Sequence, residues 1–147
     1  MNKSDAAILR NAVFRLRDAF RNAAEDAQDV MNFDITVREN QTMEMVYRLT
    51  AEKPEGVTLK LLAFAMKLSP ATTCEIVDKL VKKGLLQRVN NPNDRRAVLI
   101  TLSELGQTML DHFLKVVEDL CGTILADLSP AEQKALLDGL SKMTAKL

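Results

Sequence analysis

Asp94, Arg95 and Arg96 lie next to one another in the polar middle of the segment Leu85–Leu102, whose sequence is LLQRVNNPNDRRAVLITL. Guanidinium groups form paired hydrogen bonds with phosphate oxygens, and a narrow DNA minor groove attracts them. The apolar residues on either side predict two β-strands joined by the polar loop. Because a helix ending in two lysines and a glycine precedes the segment, the pattern predicts one element for a DNA major groove and another for the neighbouring backbone or minor groove.

The positive charge of the chain is concentrated around this segment. The 147 residues include 20 basic and 20 acidic side chains, and the isoelectric point is near 6.6. That balance by itself speaks against a nucleic-acid partner. Residues 57–102 nevertheless carry eight basic and three acidic side chains, whereas residues 1–56 carry eight and ten and residues 103–147 carry four and seven. The middle of the chain is therefore the part expected to face a polyanion.

Length and composition indicate an ordinary globular protein. Hydrophobic residues make up 47% and charged residues 27% of the chain, and the length lies in the usual range of one domain. We therefore expect a single domain over residues 1–147. No stretch approaches the roughly 20 apolar residues that span a membrane, and the first residues lack the apolar run of a signal peptide. We expect a cytoplasmic location and no membrane contact.

The residues that most often bind metals or act as nucleophiles are few. Cys74, Cys121 and His112 show no metal-ligand spacing, and two cysteines are too few for a disulfide scaffold. No nucleophile, base and orienting group occur at motif spacing, and no glycine-rich phosphate loop is present. We expect no metal, no cofactor and no enzymatic activity, and we expect both cysteines to be packing thiols rather than redox sensors.

Two short helices ahead of the ribbon form a helix-turn-helix candidate. Thr58 is placed to cap a helix over residues 59–66. Ser69 followed by Pro70 predicts the next helix, because serine can accept a hydrogen bond from an unpaired N–H and proline tolerates the first helical position. This helix should reach Lys83, with Gly84 as its C-terminal glycine. Its apolar face is predicted to contain Thr73, Ile76, Val77 and Leu80.

Amphipathic helices are predicted before and after these elements. Apolar residues recur every three or four positions over residues 5–31. Thr36 with Glu39 fits a capping box that opens a second helix to about Thr50, and Ser129 with Glu132 fits one that opens the last helix. Between them, a helix of about six turns is predicted to follow Ser103. Val57 could add a short strand edge.

The order of these elements resembles the MarR family of bacterial transcriptional regulators over nearly the whole chain. The strongest similarity runs from Leu68 to Gly106, where VDKL, KKGLL and NDRRAVLITLSELG are similar to the family's recognition helix, wing and following helix. The resemblance implies a mainly α (α+β) winged helix-turn-helix fold, with a core over about residues 35–103. It implies dimerisation helices over about residues 5–31 and 104–147, and a second subunit would cover apolar stripes that one lobe leaves without a partner.

The function implied by the resemblance is sequence-specific binding of double-stranded DNA by a homodimer. Such a protein would be a ligand-responsive repressor acting on a pseudo-palindromic operator. The alternative is a winged-helix protein-interaction module that controls a protein partner and binds DNA weakly or not at all. Glu75 and the acidic ends of the chain motivate this alternative.

The predicted DNA contacts lie on the recognition helix and the wing. By helical angle, residues 71, 75, 78 and 82 point away from the core, with residues 72 and 79 on one flank. The N-terminal part of such a helix usually enters the groove, which favours residues 70, 71, 72 and 75 near base edges and residues 79 and 82 near phosphates. The candidate contacts are Ser69, Pro70, Ala71, Thr72, Glu75, Lys79, Lys82, Arg88, Asp94, Arg95 and Arg96.

Glu75 departs from the basic or neutral polar residue that family members commonly have at this position. A carboxylate near phosphates weakens DNA binding by repulsion. Two hypotheses account for it. Glu75 could accept a hydrogen bond from cytosine N4 in the major groove, or it could pair with Lys79 four residues later and lower the affinity.

Asp94 and Arg96 match the family's Asp-x-Arg pattern in the wing. The resemblance implies that the acid braces the arginine and that the arginine reaches a minor groove. Ordering a long side chain on a loop costs conformational entropy, and a carboxylate brace reduces that cost before DNA arrives. Arg88 and Arg95 are expected at phosphates.

Family members often release DNA when a small aromatic or phenolic anion binds between the dimer helices and the winged lobe. In this sequence Arg15, Arg17, Met43 and Tyr47 are the candidate ligand-binding residues. The opposing interpretation is that the arginines are solvated and that the methionine belongs to the core.

Overall fold

The computed structural model describes residues 3–31 and 33–145, and it divides them into two compact units. The terminal-helix unit comprises the described parts of residues 1–27 and 114–147, and the winged-helix unit comprises those of residues 28–113. The elements in chain order are α1 (Lys3–Met31), α2 (Val37–Glu52), α3 (Leu59–Met66), α4 (Pro70–Lys82), β1 (Leu86–Asn91), β2 (Asp94–Leu102), α5 (Glu104–Ala126) and α6 (Pro130–Thr144). The predicted mainly α winged-helix fold is confirmed.

Polar side chains begin the helices where the sequence predicts them. The hydroxyl of Thr36 accepts a hydrogen bond from the Glu39 N–H, and the Glu39 carboxylate accepts one from the Thr36 N–H. Ser129 and Glu132 form the same reciprocal pair at the start of α6. Thr58 caps α3. These bonds satisfy N–H groups that have no partner inside the helix, so each predicted helix start is confirmed.

The helix-turn-helix consists of α3, a three-residue turn and α4. The turn begins at Lys67, whose φ of 54° is left-handed. It ends at Ser69, whose hydroxyl accepts a hydrogen bond from the Thr72 N–H. At the other end of α4, Gly84 has a φ of 75°, a conformation that glycine adopts without steric cost. The predicted start and glycine stop of the recognition helix are thus confirmed, and α4 ends at Lys82, one residue before the predicted Lys83.

The ribbon is an antiparallel pair of strands in which Leu86 is opposite Leu102. Val57 adds one bridge at the outer edge of β2, where it exchanges two backbone hydrogen bonds with Ile100, of 3.0 and 2.8 Å. Gly56 makes this approach possible, because a Cβ there would lie 2.9 Å from the Leu99 Cβ. The strand edge predicted at Val57 is confirmed, and the ribbon is attached to the loop before α3.

The core of the winged-helix unit is built from every element of that unit. Met43 and Val46 of α2, Leu62 of α3 and Val77 of α4 are fully buried. Buried residues of the ribbon and the first turns of α5 complete the cluster: Leu85, Leu86, Ile100 and Met109. The apolar face predicted for the recognition helix, Thr73, Ile76, Val77 and Leu80, is buried as expected. The opposite face of α4 is left to solvent.

The terminal-helix unit leaves much of its apolar surface exposed. No residue of α6 between Pro130 and Thr144 is buried, and Leu137 and Met143 are about half exposed. The first half of α1 is similar, with exposed apolar side chains at Ile8, Leu9, Val13, Phe14 and Leu16. Among residues 3–31 and 33–145, no helix combines the length and apolarity that crossing a bilayer requires.

Candidate nucleic-acid interface

The exposed face of α4 carries the side chains that the sequence predicts to meet DNA. Every candidate contact on this helix and its cap is solvent-exposed, namely Ser69, Pro70, Ala71, Thr72, Glu75, Lys79 and Lys82. The first residues are small or hydroxylated, and the two lysines lie in the second half. The surface is therefore shaped for close approach at its N-terminal end and positively charged at its C-terminal end.

Ser69 is held by the helix that it begins. Its hydroxyl accepts from the Thr72 N–H at 3.1 Å and donates to the Thr72 Oγ1 at 2.9 Å. Its carbonyl accepts from the Thr73 hydroxyl at 2.9 Å. The N-terminal turn of α4 is thus fixed by three side-chain hydrogen bonds. Such rigidity would suit the predicted entry of this turn into a DNA groove.

Glu75 is exposed on the same face and makes no ion pair with any residue that the structure describes; the four ion pairs there are Arg17–Asp18, Arg21–Asp18, Lys83–Glu39 and Arg88–Asp78. The pair with Lys79 that one hypothesis required is not formed. The Glu75 carboxylate therefore faces solvent, and neither lysine of α4 that lies on its exposed face pairs with it.

Arg88 of β1 is paired with Asp78 of α4. The hydrogen bond from Arg88 holds the pKa of Asp78 below its ordinary value of 3.8. The other oxygen of Asp78 accepts a weak hydrogen bond from the Cys74 thiol at 3.7 Å. Arg88, expected at a phosphate, is therefore engaged within the protein, and it joins the recognition helix to the first strand of the ribbon.

The tip of the ribbon presents Arg95 and Arg96 in a bulge. Pairing passes from Asn90 opposite Val98 directly to Asn91 opposite Asp94, so residues 95–97 have no partner across the ribbon. A bulge bends a strand and re-aims its side chains. Both arginines are exposed and, within the described part of the chain, make no ion pair.

Asp94 braces the backbone of Arg96 rather than its guanidinium. The carboxylate accepts a hydrogen bond of 2.9 Å from the Arg96 N–H. The sequence led us to expect that the Asp94 carboxylate would bind the Arg96 guanidinium. In the structure it binds the Arg96 backbone N–H instead. The acid fixes the bulge from which the arginine projects, so the guanidinium keeps all its donors for another partner.

Lys83 is a basic residue near the interface that does not face solvent freely. Its ammonium donates to the Asp34 carbonyl at 2.7 Å and to the Glu39 carboxylate at 2.9 Å. Burial by itself would raise the pKa of Glu39, but hydrogen bonds from the Thr36 N–H and from Lys83 outweigh it, and the pKa lies below its ordinary value of 4.5. Sequence reasoning missed this pair because 44 residues separate its members.

The unpaired cations that remain in residues 57–102 form the electrostatic part of the candidate interface. Of the eight basic residues there, Lys83 and Arg88 are used in ion pairs. The six others are exposed: Lys60, Lys67, Lys79, Lys82, Arg95 and Arg96. They belong to α3 and its C-cap, α4 and the wing bulge, which are the three parts of a winged helix that can approach a duplex.

The candidate ligand residues do not form a cluster within either unit. Met43 is fully buried in the core of the winged-helix unit, and Tyr47 in the same helix is partly exposed. Arg15 and Arg17 belong to the terminal-helix unit, where Arg17 pairs with Asp18 at 2.9 Å and lies 5.0 Å from the Phe14 ring centroid. The burial of Met43 favours the interpretation that this side chain packs the core.

Metal-binding groups are not assembled in the part of the chain that is described. No three His, Cys, Asp or Glu side chains among those residues come together as metal ligands. Cys74 and Cys121 are free and partly buried.

The sequence of this region matches a known family. The MarR family model matches residues 48–98, which include α3, α4, β1 and part of β2. Over these residues the chain is similar to the MarR family. The chain is 31% identical over 86 residues to the uncharacterized HTH-type transcriptional regulator YwhA of Bacillus subtilis, and the match covers 58% of this chain and 62% of YwhA.

Other MarR-like proteins extend the comparison. The HTH-type transcriptional repressor NicR of Pseudomonas putida is 32% identical over 79 residues, covering 54% of this chain and 50% of NicR. The matches thus span between half and two thirds of these two relatives. A MepR–DNA complex from S. aureus has a TM-score of 0.71 at 23% identity, and MepR bound to ethidium bromide has 0.72 at 23%; both cover 92% of this chain, and 98% and 94% of theirs. The likeness to MepR establishes a shared fold.

Proposed function

We propose that this MarR-family chain is a sequence-specific DNA-binding transcriptional regulator that acts as a homodimer in the cytoplasm. The observation that carries the proposal is the joint display of unpaired cations on α4 and on the wing bulge. Lys79, Lys82, Arg95 and Arg96 are exposed and free of ion pairs among the described residues. Phosphate contacts by such side chains supply most non-specific affinity for DNA.

In this proposal the N-terminal turn of α4 enters the major groove and the wing reaches the adjacent backbone or minor groove. The small residues Ala71 and Thr72 allow close approach to base edges, and Lys79 and Lys82 bind phosphates on the groove wall. Arg96 projects from the bulge that Asp94 fixes. A guanidinium in a narrow minor groove gains from the negative potential there.

The homodimer is supported by the apolar surface of the terminal-helix unit. Apolar side chains of α6 are exposed at Leu136, Leu137, Leu140 and Met143, and α1 exposes a second set. Contiguous apolar surface of this kind is a common mark of a protein interface. We propose that residues of about 5–31 and 104–147 form the dimer while residues of about 35–103 bind DNA, within one functional domain of residues 1–147.

A two-fold dimer of this kind would bind a pseudo-palindromic operator. Each subunit presents one recognition helix and one wing, so the two half-sites are related by the symmetry of the protein. Repression is the proposed outcome, because NicR is named a repressor and because a bound dimer occupies promoter DNA.

Release of DNA by a small effector is the finer part of the proposal. Structures of MepR have been solved with ethidium bromide, an aromatic cation, and with DNA. For this chain we propose a small aromatic ligand. Arg15, Arg17 and Tyr47 are its candidate contacts, and a guanidinium contact would favour an anionic or phenolic group on the ligand. Met43 is fully buried in the core of the winged-helix unit, so we propose no direct contact between its side chain and the ligand.

Selection from genomic DNA tests the proposal directly. The purified chain is incubated with fragments of the genome that encodes it, and the bound fragments are sequenced and titrated in a mobility-shift assay. Enrichment of a few sites with two-fold symmetry is expected. A chain that folds and dimerises but enriches no fragment would contradict the proposal and favour the protein-interaction alternative.

The matched variants for this experiment are Arg95→Ala/Arg96→Ala and Lys134→Ala. Lys134 is an exposed lysine of α6, outside the proposed DNA surface. The double variant should lose the enrichment, and the control should keep it. Equal binding by all three proteins would exclude the wing as a DNA contact.

A further inference from the structure

The turn that follows α4 is bonded to two other elements of the winged-helix unit. It consists of Lys83, Gly84 and Leu85, which lie between the last residue of α4 and the first residue of β1. Lys83 contacts the start of α2, and the next two residues contact the start of α5. We call these three residues the clamp turn.

On one side, Lys83 reaches the start of α2. Its ammonium donates to the Asp34 carbonyl at 2.7 Å and to Glu39 Oε2 at 2.9 Å. The same Glu39 oxygen accepts from the Thr36 N–H at 2.8 Å, and only 5% of the Glu39 side chain is exposed. The lysine thus completes a capping box whose carboxylate is buried and would otherwise lack a counter-charge.

On the other side, the clamp turn is bonded to the segment that begins α5. The Ser103 hydroxyl donates to the Gly84 carbonyl at 2.5 Å, and the Ser103 N–H donates to the Leu85 carbonyl at 3.0 Å. Gly106 packs so closely that a Cβ there would lie 2.0 Å from the Leu85 oxygen. The C-terminal end of α4 is therefore held between the starts of two helices.

Small rotations at this end of α4 are amplified at the other end. With 13 residues and a rise of 1.5 Å per residue, the helix is about 20 Å long. A tilt of about 5° about the clamp turn would move the N-terminal turn by roughly 1.7 Å, more than the tolerance of about 0.5 Å that a hydrogen-bonding site allows. Accurate placement of Ala71 and Thr72 depends on what holds residues 83–85.

We propose that Lys83 is a positioning residue for DNA binding: it sets the angle of the recognition helix through Asp34 and Glu39 and does not itself contact phosphate. The inference rests on the proposed function of DNA binding. It separates Lys83 from its neighbour Lys82, which is exposed and unpaired in the described structure. A basic residue beside a recognition helix would ordinarily be assigned to the DNA backbone, and the two lysines thus have different roles.

Salt dependence distinguishes a positioning lysine from a phosphate contact. Each phosphate contact that is lost reduces the slope of log affinity against log salt by about 0.9, hence by about 1.8 for a dimer. Lys83→Met should lower affinity for a duplex recovered by genomic selection at least fivefold, with the slope unchanged. Lys82→Met should reduce the slope by about 1.8. Lys83→Arg, which keeps the charge and two donors, should recover most of the affinity.

Glu39 provides a second test that does not alter a basic residue. Glu39→Gln removes the counter-charge of Lys83. Glu132→Gln removes the carboxylate from the equivalent capping box of α6, where no described lysine pairs with it. Affinity should fall at least threefold for Glu39→Gln and stay at the wild-type value for Glu132→Gln. Hydrogen exchange should increase at the C-terminal turn of α4 in the Lys83 and Glu39 variants, with or without DNA.

The outcomes separate this inference from the proposed function. If the wild-type chain neither enriches nor binds any DNA fragment, the proposed function fails. Hydrogen exchange at the C-terminal turn of α4 then shows by itself whether Lys83 and Glu39 hold that end of the helix. If the wild-type chain binds and Lys83→Met binds equally well, the inference is wrong. A slope loss in Lys83→Met as large as that of Lys82→Met would also overturn it, because Lys83 would then be a phosphate contact.

Discussion

Asp78 of α4 and Arg88 of β1 form an ion pair that joins the recognition helix to the first strand of the ribbon, although both side chains are exposed. The same carboxylate accepts a hydrogen bond from the Cys74 thiol. An exposed ion pair contributes little to stability because solvent screens it, so the larger effect of this pair is on the charge of the surface. It neutralises one cation that would otherwise be available to a polyanion.

We expect Asp78→Asn to tighten DNA binding about threefold and to steepen the salt dependence, because it removes a negative charge from the proposed DNA-binding surface and releases Arg88 to bind a phosphate. Arg88→Met should lower affinity. Titration by fluorescence anisotropy at several salt concentrations measures both effects. Asp127→Asn, at an exposed carboxylate between α5 and α6, is the control. Weaker binding by Asp78→Asn would mean that the pair positions the wing.

Arg96→Ala should weaken operator binding at least tenfold. The side chain projects from a bulge fixed by Asp94, and its guanidinium has no partner within the described protein that would compete with DNA. Mobility-shift titration at moderate salt checks the expectation, with Lys134→Ala as control. An unchanged titration for Arg96→Ala would contradict the assignment of the wing.

Asp94 allows a finer test of the same loop. Because its carboxylate accepts from the Arg96 N–H, Asp94→Asn retains an oxygen acceptor and should bind DNA nearly as the wild type does. Asp94→Ala loses the acceptor and should bind about threefold to fivefold more weakly. Equal losses in both variants would indicate that the charge matters rather than the hydrogen bond.

The sequence predicted local features well, because each depends on residues within one turn of a helix. The capping boxes at Thr36 and Ser129, the Ser69–Pro70 helix start and the glycine stop at Gly84 all follow from hydrogen bonds between near neighbours. The exposed face of α4 followed from the period of 3.6 residues. The exposure of the candidate contacts on α4 was therefore predicted correctly, and their contact with DNA stays a prediction.

The charge partners on that surface could not be predicted from sequence. Arg88 is 10 residues from Asp78, and Lys83 is 44 residues from Glu39, so both pairs depend on how the elements pack. Arg88 and Lys83 were both counted as positive charges of residues 57–102, although each forms an ion pair within the protein. The register shift that exposes Arg95 and Arg96 depends likewise on strand pairing. Counting charges along the sequence therefore predicted that this surface is positive, but it could not show which of its basic side chains are free of ion pairs.

Gly106→Ala should lower the free energy of unfolding by about 2–3 kcal/mol. A Cβ at this position would lie 2.0 Å from the Leu85 carbonyl oxygen, and a backbone atom cannot move aside without shifting the clamp turn. Urea denaturation followed by circular dichroism measures the loss.

Gly122 is the matched control for this substitution. It is also helical, and a Cβ there would meet nothing within 4 Å. Gly122→Ala should therefore raise stability by about 0.5–1 kcal/mol, because alanine has less conformational freedom to lose on folding. Equal effects at the two glycines would show that the close approach at Gly106 is relieved by movement elsewhere.

Glu39 should make the stability of the winged-helix unit dependent on acid. Its pKa lies below the ordinary 4.5 in the folded chain, so its contribution is present above that value and is lost as the pH falls through the folded pKa. Glu39→Gln should be less stable than the wild type by about 1–3 kcal/mol at pH 7. The difference should shrink steadily below pH 4.5.

Urea denaturation of both proteins between pH 7 and pH 3 measures this difference. Glu132→Gln serves as the control, since Glu132 caps α6 in the same way but is exposed and has no lysine partner among the residues that the structure describes. Its difference from the wild type should be smaller at every pH. A Glu39→Gln difference that stayed constant down to pH 3 would mean that the charge of Glu39 does not contribute.

Leu137→Glu should dissociate the proposed homodimer. This side chain is 52% exposed in the single chain, and a partner subunit that covers it would bury the introduced carboxylate without a counter-charge. Two-fold symmetry places the substitution twice in each interface, which doubles its effect. Sedimentation velocity should show the wild type as a dimer and the variant shifted to monomer.

Phe64→Glu alters a residue that is 83% exposed in the winged-helix unit and should remain dimeric. If Phe64→Glu dissociated the dimer and Leu137→Glu did not, the interface would lie on α3 instead of on the terminal helices.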